Sequence, residues 1–439
     1  MLDELAGLVS AAGGQVVART YQRRSAQRPS SAAARAGNPA EPTVRIASGP
    51  AIDPATYVGR GKAAHIAELT EAHEANVVVF DNELSPAQIR ELETITGCRV
   101  LDRSELILDI FASRARTREA KLQVELAQLQ YTAPRLRGMW THLERQAGTG
   151  GANGMGLRGP GEKQIEIDRR IVRKRISRLQ GELATLHGRK QREVAHRSDQ
   201  HYCVGLVGYT NAGKSTLMNA LTRAGTYSAD QLFATLDTKT RMWKVERGVP
   251  VMLSDTVGFV RDLPHSLVAS FRATLEEALN ADLLLHVIDA SHPQALRQID
   301  TVESVLSELG AEPGKMLGVL NKVDAVSDPD DLAVLRRRLD DGVVVSAATG
   351  EGLEQLAATV AERRRQGFQR LLIRAPLGSG KLQAFARARG YIAHESYDDD
   401  AWTAELSVPR NMVEKLAAMC GDATFEHLGE LRGDRPDEL

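Results

Sequence analysis

The sequence lacks several features that would place it in other protein classes. Its 439 residues include only 3 cysteines, too few and too far apart for a disulfide framework or a four-cysteine zinc site. No run of eighteen apolar residues occurs, so no membrane-spanning helix is expected. The first residues carry no basic segment followed by an apolar one, so no secretory signal is predicted. These absences favour a reduced, cytoplasmic protein.

The composition is that of a globular protein, with 42% hydrophobic and 26% charged residues, which excludes wholesale disorder and a fibrous class. The net charge of -1 hides an asymmetry, because residues 113–200 hold 19 Lys+Arg against 9 Asp+Glu. A basic segment on an acidic body favours contact with a polyanion, nucleic acid first among the candidates. A solvated helical face rich in arginine is the alternative interpretation.

Residues 1–112 predict a small α/β domain. Predicted strands at 15–18, 77–80 and 99–101 alternate with helices, which indicates a mostly parallel sheet. Residues 22–50 are rich in Ser, Ala, Pro and Arg with little apolar periodicity, and we expect a mobile loop there.

Residues 113–200 predict a long two-helix arm, because leucine and isoleucine recur at helical spacing in two stretches. Between these stretches, residues 148–161 are so rich in glycine that regular helix is excluded and a flexible tip is expected. A coiled-coil spacer is the alternative. The apolar positions are Leu122, Leu126, Leu129, Ile171, Ile176, Leu179, Leu183 and Leu186.

Residues 201–365 predict a doubly wound α/β domain, because short apolar strands alternate with helices. Residues 366–439 predict a small α+β module of three strands and two helices, without recognisable chemistry. The strands predicted for the doubly wound domain are 204–207, 251–253, 283–288, 316–320 and 343–345.

The nonapeptide GYTNAGKST follows the first of these strands and precedes a helical pattern. Its glycines let successive N–H groups point at phosphate oxygens, Lys214 reaches the β- and γ-phosphates, and the Ser215 hydroxyl ligates Mg²⁺. The helix behind adds its positive N-terminal end. This spacing predicts nucleoside triphosphate binding by Gly208, Tyr209, Thr210, Asn211, Ala212, Gly213, Lys214, Ser215 and Thr216.

Two further motifs complete the phosphate side. Asp255, at the end of an apolar strand, can hold Mg²⁺ directly or through water, and Gly258 offers its N–H near the γ-phosphate. Thr235 lies in the expected first switch loop and is the best candidate for a second hydroxyl on Mg²⁺. Lys214, Thr235 and Gly258 form the predicted catalytic group. The two motifs comprise Phe233, Ala234, Thr235, Leu236 and Asp237, and Asp255, Thr256, Val257 and Gly258.

The tetrapeptide NKVD identifies the base as guanine. The Asp324 carboxylate can accept hydrogen bonds from both guanine N1–H and the 2-amino group, which adenine lacks, and such sites reject the wrong ligand by roughly 10⁴–10⁵. Lys322 is expected to cover the base plane. The alternative interpretation of the NKVD motif as a whole is a helix-capping turn. The predicted guanine-binding residues are Asn321, Lys322, Val323, Asp324, Ser346, Ala347 and Ala348.

In this order the motifs resemble those of translation-factor-class P-loop GTPases, and the chain resembles the HflX family of ribosome-associated GTPases. The Gln22–Pro50 segment looks longer than the family's usual link, and Lys163 stands where the family often has threonine. Outside the nucleotide motifs the resemblance rests on residues 57–62, 84–88, 101–103, 106–111, 123–127, 134–136, 159–164 and 168–170.

The resemblance implies a GTPase that binds the large ribosomal subunit and rescues or splits stalled ribosomes, with its glycine-rich tip near the peptidyl-transferase region. A monomer is the expected form, although no sequence feature sets the oligomeric state. The residues expected to contact ribosomal RNA are Arg158, Arg169, Arg170, Arg173, Lys174 and Arg175, and further phosphate contacts are open to Arg114, Arg116, Arg118 and Arg178.

Phe259 stands where many related GTPases place a glutamine that orients the attacking water. We therefore expect slow intrinsic hydrolysis that the ribosome stimulates. Asn211 resembles its counterpart in potassium-activated members of the class, where it coordinates K⁺. Two alternatives stay open: an RNA-binding protein with a structural nucleotide, and an ATP- and GTP-dependent RNA remodelling factor whose loop 59–62 binds ATP.

Overall fold

A computed structural model describes residues 2–22, 53–133, 160–198, 201–222, 233, 238–245, 250–261, 279–339, 342–366, 368–398, 400–419 and 424–430. Within these residues no helix is long and apolar enough to cross a membrane. The described residues form two compact units, of which the first extends to Ala184 and the second begins at Thr185. Most of the expected mobile loop 22–50 and of the glycine-rich tip lies outside the described residues.

The first unit begins with a small α/β arrangement around two parallel strands, whose register runs from Val77 opposite Arg99 to Phe80 opposite Asp102. Ser85 forms a capping box with Gln88 ahead of the third helix, and Pro86 occupies the first helical position. The elements are α1 Leu2–Ala11, α2 Arg60–Ala72, β1 Val77–Phe80, α3 Pro86–Thr96, β2 Arg99–Asp102 and α4 Arg103–Arg114.

The strand predicted at 15–18 is wrong, because residues 14–22 run as irregular chain and pair with no strand among the described residues. Val16 and Val17 are exposed, so the apolar run that suggested a buried strand is not buried here. Lys62 donates a hydrogen bond to Thr20 Oγ1, which ties this segment to α2.

Two helices form the predicted arm, α5 Arg118–Thr132 and α6 Pro160–Ser198. The exclusion of helix over 148–161 is wrong at its end, because Pro160 and Gly161 already belong to α6, and proline is tolerated in the first turn of a helix. Thr117 caps α5 by accepting a hydrogen bond from the Ala120 N–H. An apolar cluster joins the helices through Leu126, Leu179 and Leu183, with Leu122, Leu129 and Ile176 packed against it. Ile171 departs from the predicted stripe and is exposed.

The second unit holds a six-stranded sheet in the order β4-β5-β3-β6-β7-β8, parallel except for β4, which pairs antiparallel with β5. The sequence pattern missed β4, because polar residues occupy most of it and only Trp243 is buried. The elements are β3 Tyr202–Gly208, α7 Lys214–Thr222, β4 Lys239–Lys244, β5 Pro250–Asp255, β6 Leu283–Asp289, α8 Ala295–Glu308, β7 Met316–Asn321, α9 Pro329–Arg338, β8 Val343–Val344 and α10 Leu353–Gln366.

The last module has βαββαβ order and an antiparallel sheet in the order β10-β11-β9-β12, the ferredoxin-like arrangement. Its core is centred on Trp402, Leu371 and Leu406. The fourth strand, β12, was not predicted. The elements are β9 Phe368–Pro376, α11 Gly380–Arg389, β10 Tyr391–Tyr397, β11 Ala401–Pro409, α12 Arg410–Met419 and β12 Thr424–Glu430.

Candidate functional site

The phosphate loop leaves the carboxyl end of β3 and enters α7, the strand-loop-helix context that its motif requires. Gly208 has φ 151° and Gly213 has φ 91°. A Cβ at Gly208 would lie 2.2 Å from Val287 O, and one at Gly213 would lie 2.3 Å from Asn321 Nδ2. Glycine is therefore required at both positions for steric as well as conformational reasons.

Lys214 is buried at the start of α7 and points back into the loop. Its Nζ donates to Gly208 O at 3.0 Å and to Tyr209 O at 2.8 Å. Burial lowers the pKa of Lys214 to about 8, and the nearby Asp255 carboxylate opposes this shift. The loop carbonyls thus hold the ammonium group where the motif expects it to meet the β- and γ-phosphates.

Ser215 and Asp255 lie together at the predicted magnesium position. Ser215 Oγ donates to Asp255 Oδ2 at 2.6 Å, and Asp255 is fully buried at the end of β5. A hydroxyl and a carboxylate are oxygen ligands of the kind Mg²⁺ prefers. The chemistry of this pair therefore fits the ion.

The DTVG segment is joined to the phosphate loop by backbone hydrogen bonds. Phe259 N–H donates to Gly208 O at 3.0 Å, and Thr210 N–H donates to Phe259 O at 2.6 Å. The Tyr209 hydroxyl accepts from the Arg261 N–H at 2.8 Å. The residues after Gly258 thus lie directly on the loop, an arrangement that no motif spacing predicted.

Asn321, at the end of β7, bridges two parts of the site. Its Nδ2 donates to Ala212 O at 2.9 Å, and its Oδ1 accepts from the Ala347 N–H at 3.0 Å. The side chain is almost completely buried. Asn321 therefore fixes the phosphate loop and the loop at Ala347 to the same strand end.

The remaining guanine-side residues are positioned by side-chain pairs. Asp324 Oδ1 accepts from Ser346 Oγ at 2.6 Å. Lys322 has φ 61°, and its Nζ lies 2.7 Å from Asp289 Oδ2. Sequence reasoning missed Asp289, although a carboxylate at the end of the buried strand β6 is a signal that could have identified it. Asp289 holds the lysine that is expected to cover the base.

Some of the other predicted residues belong to the described part of the chain, and the rest lie outside it. Thr216 is half-buried in α7, Val257 is buried, and Thr256 Oγ1 donates to Leu206 O at 2.7 Å. Val323 begins a short 3₁₀ turn, and Ala348 is exposed. Phe233 is buried. The predictions that fall outside the described residues are Ala234, Thr235, Leu236, Asp237 and Arg158.

The basic residues of the arm differ in their surroundings. Arg170, Arg173 and Lys174 are exposed on α6. Arg175 pairs with Glu125 of α5 at 2.6 Å. The exposed cations are therefore better placed for a polyanion than Arg175, whose charge is already matched.

Three protein families match consecutive parts of the chain: "GTP-binding GTPase N-terminal" over residues 42–112, "GTP-binding GTPase Middle Region" over 114–197, and "50S ribosome-binding GTPase" over 203–322. Among solved structures, a GTP-binding protein from Sulfolobus solfataricus in complex with GDP shares 24% identity and covers 82% of this chain and 94% of its own. Its TM-score is 0.41.

Curated relatives cover most of the chain at higher identity. GTPase HflX of Escherichia coli is 49% identical over 75% of this chain and 77% of its own length. GTPase HflX of Chlamydia pneumoniae is 42% identical over 87% of this chain and 81% of its own length. The fold, the order of the nucleotide motifs and these relatives agree, and the chain belongs to the HflX family of GTPases, which bind and hydrolyse GTP.

Proposed function

We propose that the protein binds the large ribosomal subunit and uses its GTP cycle to rescue and split stalled ribosomes. The observation that carries the proposal is a hydrogen bond between the arm and the nucleotide-binding domain, from Lys190 Nζ on α6 to Thr238 Oγ1 at 3.1 Å. Thr238 directly follows the predicted first switch, residues 233–237. A structural change at the switch when GTP is replaced by GDP would therefore be transmitted to the basic helix α6 through this hydrogen bond.

The arm would supply the grip on ribosomal RNA. The family that matches residues 203–322 is described as a ribosome-binding GTPase, and residues 113–200 carry 19 Lys+Arg against 9 Asp+Glu. The side chains of Arg170, Arg173 and Lys174 are exposed and would contact RNA phosphates. Further RNA contacts would come from Arg158, Arg169 and Arg175. Each phosphate contact steepens the log–log salt dependence of binding by roughly 0.9 on duplex nucleic acid.

The hydrolytic half of the cycle would use the residues of the phosphate side. The Lys214 ammonium group and the Gly258 N–H stabilise charge on the γ-phosphate, and Ser215, Thr235 and Asp255 would hold Mg²⁺. When bound by these residues, the ion would supply positive charge that neutralises the phosphate oxygens. Phe259 supplies no hydrogen bond to water, so hydrolysis would be slow until a ribosome or another group assists.

Potassium is a proposed second cation. Asn211 is exposed in the phosphate loop with φ 62°, and its side-chain oxygen would coordinate K⁺ beside the phosphates. Turnover should therefore fall when NaCl replaces KCl at the same ionic strength. Equal turnover in the two salts would exclude this role for Asn211.

Sedimentation with intact ribosomes and separated subunits tests the main proposal. The protein is expected to pellet with large subunits when a non-hydrolysable GTP analogue is bound, and to be released with GDP. A ribosomal partner would place the protein in the cytoplasm, where we propose that it acts as a monomer. Pelleting that ignores the nucleotide would instead favour an RNA-binding protein with a structural nucleotide.

Two variants sharpen this test. Replacing Lys190 with methionine removes the hydrogen bond to Thr238 and keeps most of the side-chain volume, so subunit binding should lose part of its dependence on nucleotide. Exposed Lys121 on α5 is a matched control, because its replacement with methionine removes the same charge away from the switch. Equal effects of the two variants would argue for bulk charge and against coupling.

A further inference from the structure

The hydroxyl of Thr210 in the phosphate loop is a polar group that the fold itself does not explain. Thr210 is 7% exposed, and its Oγ1 is buried without a hydrogen-bond partner in the described part of the chain. A buried hydroxyl without a partner destabilises the fold, and valine would fill the same space without that penalty. Thr256 differs, because its buried hydroxyl donates to Leu206 O at 2.7 Å.

Thr210 lies against the glycine that is expected to bind the γ-phosphate. A Cβ at Gly258 would lie 2.9 Å from Thr210 Cα, 3.0 Å from Thr210 Cγ2 and 3.0 Å from Lys214 Nζ. The Thr210 N–H also donates to Phe259 O at 2.6 Å. The side chain therefore lies among the groups that would surround the terminal phosphate of GTP.

Within the described part of the chain, the position directly after Gly258 offers no side chain that could orient an attacking water. Phe259 is buried and apolar, so its side chain cannot accept a hydrogen bond from an attacking water. Positioning of water by a hydrogen-bonding side chain is a recurring part of phosphoryl transfer in this class of enzyme. A neighbouring hydroxyl, which both accepts and donates, has the chemistry to take over this task.

We propose that Thr210 is a catalytic residue, whose hydroxyl gains its partners when GTP binds. Oγ1 accepts a hydrogen bond from the attacking water and donates its own to a γ-phosphoryl oxygen. The water oxygen bonds to the γ-phosphorus, and the bond from that phosphorus to the β–γ bridging oxygen breaks, leaving its electron pair on GDP. The water proton departs with inorganic phosphate.

This role rests on the GTPase activity and is independent of ribosome binding. It predicts that the hydroxyl matters more in the transition state than in the ground state, because the attacking water becomes acidic only as the reaction proceeds. Nucleotide affinity and fold stability should therefore be insensitive to its loss, whereas the rate of hydrolysis should not.

Replacing Thr210 with valine in the full-length protein tests this role by single-turnover hydrolysis, with calorimetry of GDP binding and denaturant unfolding as companion measurements. We expect the rate to fall about 10- to 100-fold, as loss of one hydrogen bond to a charged group implies. GDP affinity should be unchanged, and the free energy of unfolding should not decrease. Replacing Thr210 with serine, which keeps the hydroxyl, should retain most of the rate.

Thr256→Val is the matched comparison, because it makes the same change at a threonine whose hydroxyl already has a partner. It should lower the free energy of unfolding, which Thr210→Val should not. Hydrolysis by T210V at the wild-type rate would overturn the proposal. So would a loss of rate that comes with a parallel loss of GDP affinity and stability, because that pattern indicates a structural role.

Discussion

The phosphate half and the guanine half of the nucleotide site are held together in different ways. On the guanine side, the Asn321 side chain joins the backbone of Ala212 to that of Ala347. On the phosphate side, backbone groups of Gly208 and Thr210 are paired with Phe259, in the segment that follows the DTVG motif. The guanine half is fixed to the ends of strands. The phosphate half is fixed to the segment after Gly258, which changes position when a GTPase switches between nucleotides.

The difference indicates that the guanine half recognises the base, whereas the phosphate half senses the γ-phosphate. Hydrogen bonds on the guanine side can persist when the base binds, so recognition there is preorganised. Hydrogen bonds on the phosphate side connect the loop to the residues after Gly258, so their rearrangement would report whether a γ-phosphate is present. Variants in the two halves should therefore separate affinity for the base from sensing of the phosphate.

Loss of Lys214 should give the largest effect and should fall on the phosphate half. Lys214→Ala removes the ammonium group that Gly208 and Tyr209 hold in place. We expect single-turnover hydrolysis to fall by about 10²–10³-fold, the usual result of deleting one group that stabilises transition-state charge. GTP affinity should fall more than GDP affinity in calorimetry. Retention of wild-type GTP affinity would contradict the assignment.

Replacement of Asp324 with asparagine should act on the guanine half alone. The carboxylate's expected hydrogen bonds to guanine N1–H and the 2-amino group would be lost, which weakens GTP binding by about 100-fold or more. Xanthosine triphosphate carries a carbonyl in place of the 2-amino group and should gain affinity for this variant. Competition binding with GTP and xanthosine triphosphate measures this change of preference. An equal loss of affinity for both nucleotides would contradict a role of Asp324 in base recognition alone.

Much of this site could be predicted because its motifs combine local glycine requirements with strand ends. Gly208 and Gly213 occupy positions where a Cβ would overlap Val287 O and Asn321 Nδ2. The pairing of Tyr209 with Arg261, and of Lys322 with Asp289, could not be predicted in the same way. Those contacts depend on which strands are neighbours, which sequence spacing does not specify.

The fold shows the same limit. Apolar strands such as β3 and β6 are buried on both faces and read directly from the sequence. The edge strand β4 is polar at most positions and was missed, whereas the apolar residues Val16 and Val17 predicted a strand that does not form. A hydrophobic sequence pattern predicts which segments are buried, but it does not determine which segments pair as strands. In β4 and in residues 15–18 the two properties differ.

Asn321 tests whether the two halves depend on one another. Asn321→Ala would leave Ala212 O and the Ala347 N–H without the side chain that now satisfies both. We expect the free energy of unfolding to fall by about 3 kcal/mol in denaturant titration. Asn321→Asp keeps the acceptor for Ala347 but sets a buried carboxylate oxygen against Ala212 O in place of the donor, so it should lose at least as much stability as Asn321→Ala. A smaller loss for Asn321→Asp would indicate that the donor to Ala212 contributes little to the bridge.

His286 on β6 gives the smallest effect near neutral pH, and it tests whether the phosphate half is sensitive to acid. Burial, together with the positive charges of Lys214 and Arg338, lowers the pKa of His286 to about 4. Below pH 6.5 the unfolded chain takes up a proton that the folded chain refuses, so stability is lost as the pH falls from about 6.5 towards 4. Between pH 7 and 5 this amounts to about 2 kcal/mol.

Denaturant titrations of wild type and His286→Leu at several pH values measure this contribution. The variant cannot take up the proton in either state, so the gap between the two unfolding free energies should change by about 2 kcal/mol between pH 7 and 5. His292, an exposed histidine in the same domain, is the matched control, and its replacement should leave the wild-type pH dependence intact. If the difference in unfolding free energy between wild type and His286→Leu stayed constant with pH, acid would act on other groups. The folded protein would then accommodate a protonated His286 behind the phosphate loop.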